Sequence, residues 1–138
     1  MALICDTGPL YAAMDVKDRD HERCSQLLLN WPTALLVPAP VVIELDWLAA
    51  SRLGPHPFGE FLTNALQGSV TVVELTRADY QRALALYAQY QDLPLGFVDA
   101  SVVAVAERLR ATDIATLDHR HFHVVRPRHV GAFNLLPA

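Results

Sequence analysis

Four acids draw attention because of where they fall. Asp6 closes the apolar run ALICD, Glu44 sits inside VVIELDWLAASRL, Asp99 opens FVDASVVAVAERL, and Asp118 closes IATLD. In sheets built from strand–helix units, the ligand crevice opens at the carboxyl ends of the strands, where regular backbone gives way to loops. Each acid also has an ordinary use. Asp6 could cap the turn after it, Asp99 could be a helix N-cap, Asp118 a loop acid, and Glu44 the partner of an arginine. If all four converge, their charges repel and raise each other's pKa, so the cluster calls for a cation. All-oxygen donors suit Mg²⁺ or Mn²⁺, hard ions that keep several waters and bind phosphate. Such an ion activates water and offsets the charge developing on a phosphodiester under attack.

The elements that would position these acids alternate. Short apolar strands are expected at residues 2–6, 35–37, 70–75 and 114–117, and a last one around 123–125. Helices are expected at 10–14, 21–30, from Pro40 through VVIELDWLAASRL, at 58–67, from a Thr76/Asp79 cap to about 90, and from Asp99 onward. Pro9 suits the first position of the first helix. In the third helix Val41, Glu44, Leu45 and Leu48 share one stripe, which places Glu44 on the apolar side and Asp46 away from it. Alternation of this kind predicts a three-layer α/β domain with a mostly parallel sheet, whose strand ends share one edge.

Residues 1–138 form a single domain, with 52% apolar residues and mean hydropathy +0.21. No apolar run reaches the roughly 20 residues of a membrane span. Asp6 interrupts the N-terminal MALIC at once, so no signal peptide is expected. Cys5 and Cys24 read as buried free thiols in a reducing, cytoplasmic compartment. The net charge of −4 speaks against general nucleic-acid binding, but DHRHFHVVRPRH gathers Arg120, Arg126, Arg128 and four of the six histidines. These arginines are candidate phosphate contacts. His119, His121 and His123 alternate, and on a strand they would share a face as in a zinc site; solvated imidazoles at a wet strand end are the expectation.

The pieces CDTGPLYA, VVIELDWLAAS, DLPLGFVDASVVAVAERL and IATLDHRHFHVVRP, in that order and spacing, resemble a PIN-domain ribonuclease of the VapC toxin type. The resemblance runs almost end to end and implies a PIN-like α/β/α fold. It further implies Mg²⁺- or Mn²⁺-dependent cleavage of RNA, with Asp6, Glu44, Asp99 and Asp118 as metal ligands or their immediate supports. Asp6 and Asp99 would hold the ion directly, while Thr7 and Thr116 match positions that orient the site. An antitoxin protein that blocks the acidic groove, commonly with an arginine, and a homodimer are implied as well. Gly8 departs from the pattern, since many relatives carry Ser there.

Three other readings are weighed. A phosphatase of the haloacid dehalogenase type needs a second acid two residues after the first, and Gly8 stands there. A receiver domain needs a lysine after a late strand, whereas the single lysine is Lys17. A catalytically silent PIN-like module that binds RNA or protein keeps the same acids, and only turnover separates it from the enzyme.

Overall fold

The computed structural model describes all 138 residues and places five strands and seven helices. In chain order these are β1 (Leu3–Cys5), α1 (Thr7–Met14), α2 (His21–Asn30), β2 (Leu35–Pro38), α3 (Ala39–Leu53), α4 (His56–Leu66), β3 (Thr71–Val73), α5 (Arg77–Gln89), α6 (Phe97–Leu109), β4 (Asp113–Ala115), α7 (His119–Val124) and β5 (Asn134–Leu136). The strands form one sheet in the order β3-β2-β1-β4-β5, and every pairing is parallel. Helices cover it on both sides, giving the three-layer α/β/α arrangement.

β1 is the central strand and its three residues are fully buried. It pairs with β2 through Leu3↔Leu35 and with β4 through Ile4↔Ile114 and Cys5↔Ala115. From β1 the chain winds outward to β2 and β3, then crosses back to β4 and outward to β5. The strand order therefore reverses between β1 and β4, and a crevice opens at their carboxyl ends. Asp6 and Thr116, the residues that follow those two strands, sit at that crevice.

The helices show why they start and stop. Asp6 caps α1 by accepting from the Thr7 N–H. Thr76 and Asp79 form a reciprocal capping box at α5, each side chain taking the other's backbone N–H. α6 is buried from Ala100 through Ala106, in keeping with its all-round apolar sequence. It ends at Arg110 in the left-handed conformation, φ 57°.

Three expectations are corrected. The run after Asp118 is the helix α7, not a strand at 123–125, because Asp118 caps it and one helical turn buries Phe122 without burying a histidine. Burying that ring contributes about 2–3 kcal/mol. His119 and His123 consequently meet edge to face at i, i+4 instead of lining a strand face. Glu44 is exposed, so it borders the apolar stripe of Val41 and Leu45 instead of lying within it. The tail expected only as an apolar finish is β5, paired through Ala115↔Leu136.

Candidate metal centre and active site

Asp6 is the buried anchor of the crevice, 6% exposed. Its Oδ1 accepts from the Thr7 backbone N–H at 2.8 Å, and its Oδ2 accepts from the Thr116 hydroxyl at 2.9 Å. Thr116 Oγ1 in turn accepts the Asp118 backbone N–H at 3.0 Å. One fully buried hydroxyl thus ties the end of β1 to the turn leading into α7. Burial is the main force raising the Asp6 carboxyl from 3.8 to about 6. The charges of Asp99 and Glu44 push the same way, against the stabilising bonds from Thr7 and Thr116.

Asp99 lies in the first turn of α6 and is part-buried. Burial raises its pKa, and the charge of Asp118 raises it further, while His121 and the Gly96 backbone N–H pull it down. The His121 Nδ1 stands 2.7 Å from Asp118 Oδ2 and 3.4 Å from Asp99 Oδ2. It is buried and makes no well-directed hydrogen bond to either acid. One donor atom each from Asp99, Asp118 and His121 falls within 4.8 Å of the others.

The four acids are therefore linked in pairs: Asp6 to Asp99 and Glu44 by charge, Asp99 to Asp118 through His121. Asp6 lies outside the tight group that the other two aspartates make with His121. Glu44 stands in solvent on the wall of an adjoining groove of about 690 Å³, lined also by Pro40, Ile43, Trp47, Tyr80 and Phe97. The donor chemistry fits a divalent cation. Two carboxyls resist ionisation in its absence, and a buried Thr7 Oγ1 beside Asp6 has no hydrogen-bond partner. Gly8 is close-packed here: a Cβ on it would lie 3.3 Å from Leu117 Cβ, which gives the departure from Ser a steric counterpart.

His121 was not legible as a site residue from a strand reading. The signal was its spacing, three residues after Asp118, which brings the two side chains together only on a helix. The candidate phosphate contacts are dispersed. Arg120 is exposed on α7, the Arg126 N–H donates to the Tyr90 hydroxyl at 2.8 Å, and the Arg128 N–H donates to Glu107 Oε2 at 2.9 Å.

Comparison with known proteins decides the family. The PIN domain profile matches residues 3–127. The chain belongs to the PIN-domain family. It is 35% identical to ribonuclease VapC26 of Mycobacterium tuberculosis over 135 residues, which spans 98% of this chain and 100% of that protein. Among solved structures, the M. tuberculosis toxin VapC20, described as cleaving the sarcin–ricin loop, superposes with a TM-score of 0.76 at 20% identity. That match covers 81% of this chain and 86% of VapC20. A toxin–antitoxin complex from Klebsiella pneumoniae superposes with a TM-score of 0.66 at 21% identity, covering 94% of this chain and all of that one. The PIN fold thus holds across these neighbours, and the acidic crevice lies at its strand-order reversal. No helix is long and apolar enough to cross a membrane.

Proposed function

We propose that this PIN-domain protein is the toxin of a toxin–antitoxin pair, a cytoplasmic endoribonuclease that uses Mg²⁺ or Mn²⁺. The observation carrying the reading is the meeting of Asp6, Asp99 and Asp118, with Glu44 beside them, at the carboxyl ends of β1 and β4. The extended identity to a VapC ribonuclease supports the same activity.

In this reading Asp6 and Asp99 would hold the ion, and Asp118, with His121 beside it, would complete the acidic wall. A divalent ion bound there would offset charge on the phosphodiester and make water a better nucleophile at neutral pH. The Thr7 N–H and the Thr116 hydroxyl favour the ionised form of Asp6 against its burial and fix the carboxyl in place. Glu44, the one of the four in open solvent, orients the attacking water and takes its proton. The water oxygen bonds to phosphorus as the bond to the leaving ribose oxygen breaks, and that oxygen takes a proton from solvent, giving a phosphate monoester and a free hydroxyl.

Two partners follow. An antitoxin segment with a basic side chain fits the acidic crevice and would block it. A second copy of the chain would cover the face formed by Ile43 and Trp47 of α3 with Tyr80, Leu84 and Tyr87 of α5, all exposed in the single chain. The test is direct. The purified protein is incubated with total RNA, with and without Mg²⁺ or Mn²⁺, and the new ends are mapped. Metal-dependent cuts that vanish in a folded Asp6→Asn variant are expected. Equal cutting by that variant, or growth arrest on expression that it fails to relieve, would overturn the reading. A protein that binds RNA and metal but leaves RNA intact would instead be the silent binding module.

A further inference from the structure

A second pocket, of about 330 Å³, lies between α5 and α6 where α6 ends. Four arginines line it, Arg82, Arg108, Arg110 and Arg128, against two acids, Asp79 and Glu107. The acids are already engaged. Arg82 forms a two-pronged ion pair with Glu107 at 2.7 and 3.0 Å, and Arg108 reaches Asp79 at 3.0 Å. The guanidiniums of Arg110 and Arg128 are left with no ion pair or hydrogen bond, and both residues are exposed at the mouth.

His129 lines the same pocket. Its Nε2 lies 2.6 Å from the Ala111 carbonyl oxygen, which only accepts, so Nε2 carries a proton. The other ring nitrogen, Nδ1, is buried with no partner. Favourable contact with the end of the α6 dipole accounts for Arg108 and Arg110 but not for Arg128, which arrives from the segment after α7.

We infer that this pocket is an exosite for a backbone phosphate of the substrate RNA, held by Arg110 and Arg128 away from the cutting site. The inference rests on the ribonuclease reading above. Guanidinium forks match phosphate oxygens two at a time, and a pocket of this size suits one anionic group more than a protein surface. Arg110 lies roughly 16 Å beyond Asp99 along α6, at 1.5 Å per residue. The first turns of α5 form the wall between the two regions, with Tyr80 on the groove beside Glu44 and Asp79 and Arg82 on the basic pocket. A strand longer than the cut site would therefore reach both.

Binding of a long single-stranded RNA is measured against salt in an Asp6→Asn background, with and without Arg110→Gln and Arg128→Gln. The slope of log affinity against log salt should become shallower by about 0.7 for each lost contact. In the chain with Asp6 intact, the double variant should raise KM for long RNA about tenfold and leave cleavage of a minimal oligonucleotide unchanged. Lysine at both positions should restore the slope. Should the double variant unfold, Arg128→Gln alone keeps the backbone bond to Glu107 and should lose about one contact's worth of slope. Unchanged slope and KM would overturn the exosite, as would loss of antitoxin binding with RNA binding intact. Wild type that cuts RNA while the slope stays fixed fails the exosite alone. Wild type that binds RNA, shows the slope change and cuts nothing fails the ribonuclease reading alone.

Discussion

The Thr116 hydroxyl donates to Asp6 Oδ2 at 2.9 Å across 110 positions of sequence. Its oxygen also receives the Asp118 N–H, so one side chain sets two of the acids. Thr116→Val keeps the shape, removes the donor, and leaves the Asp118 N–H without its partner. The expected cost is about 1–3 kcal/mol of stability, with weaker binding of Mg²⁺ or Mn²⁺. Thr116→Ser should behave nearly as wild type in both thermal melts and metal titration. An equal loss in the two variants would instead point to the methyl group and its packing.

Asp6 fixes a pH dependence. Its carboxyl sits at about 6 in the fold against an ordinary 3.8, so the fold favours the protonated form. The stability it contributes is full below 3.8 and is lost as pH rises through about 6, by roughly 3 kcal/mol at neutrality. In chelator, Asp6→Asn should therefore melt above wild type near neutral pH and lose that advantage in acid. Metal affinity of the wild type should strengthen as pH rises through the same window, because the ion displaces the proton. An advantage of Asp6→Asn that stays constant across the range would contradict the burial of a titrating Asp6.

Asp99→Asn tests the acidic site from the α6 side. Burial and the charge of Asp118 both raise the Asp99 carboxyl, so removing its charge should raise the melting temperature without metal. Wild type should gain about 2.7 kcal/mol from metal at a hundredfold excess over Kd, and the variant much less. Identical responses of the two proteins would reduce Asp99 to a helix-start residue.

Glu44 and Asp46 are both exposed acids of α3, yet only Glu44 lines the groove and adds its charge to Asp6. Glu44→Gln should lower RNA cleavage on the order of a hundredfold, as for loss of a proton-transfer group, with Asp46→Asn near wild type. Parallel losses would assign the effect to the net charge of α3.

How much of this was readable from sequence depended on length and spacing. The acids Asp6, Asp99 and Asp118 were legible because each borders a strand or helix with a clear apolar signature. Their convergence followed from alternation and a parallel sheet. The phase of Glu44 misled, because on α3 the stripe of Val41, Leu45 and Ala49 turns just far enough to leave position 44 in solvent. α7 and β5 run for six and three residues, too short for a period to declare itself against the alternating histidines. The Arg82–Glu107 pair joins two helices 25 positions apart, and nothing local marks it.

That pair is nearly enclosed, with both side chains 9% exposed. Arg82→Ala would leave the Glu107 carboxylate with only the Arg128 N–H, a loss of about 3–5 kcal/mol. Replacing both residues with apolar ones of similar size should recover much of it. Chemical denaturation of the single and double variants measures the difference, and a mild single variant would mean water replaces the arginine.

The central place of β1 has a consequence during synthesis. Asp6 is made almost at once and β2 soon after it, but β4 and the Thr116 hydroxyl follow only late in the chain. At about 5 to 20 residues per second, roughly 6 to 22 s separate the two halves of the site. A chain still short of residue 113 therefore carries Asp6 without β4 and without the Thr116 hydroxyl that fixes its carboxylate. The acidic crevice can be assembled only after most of the chain has been made.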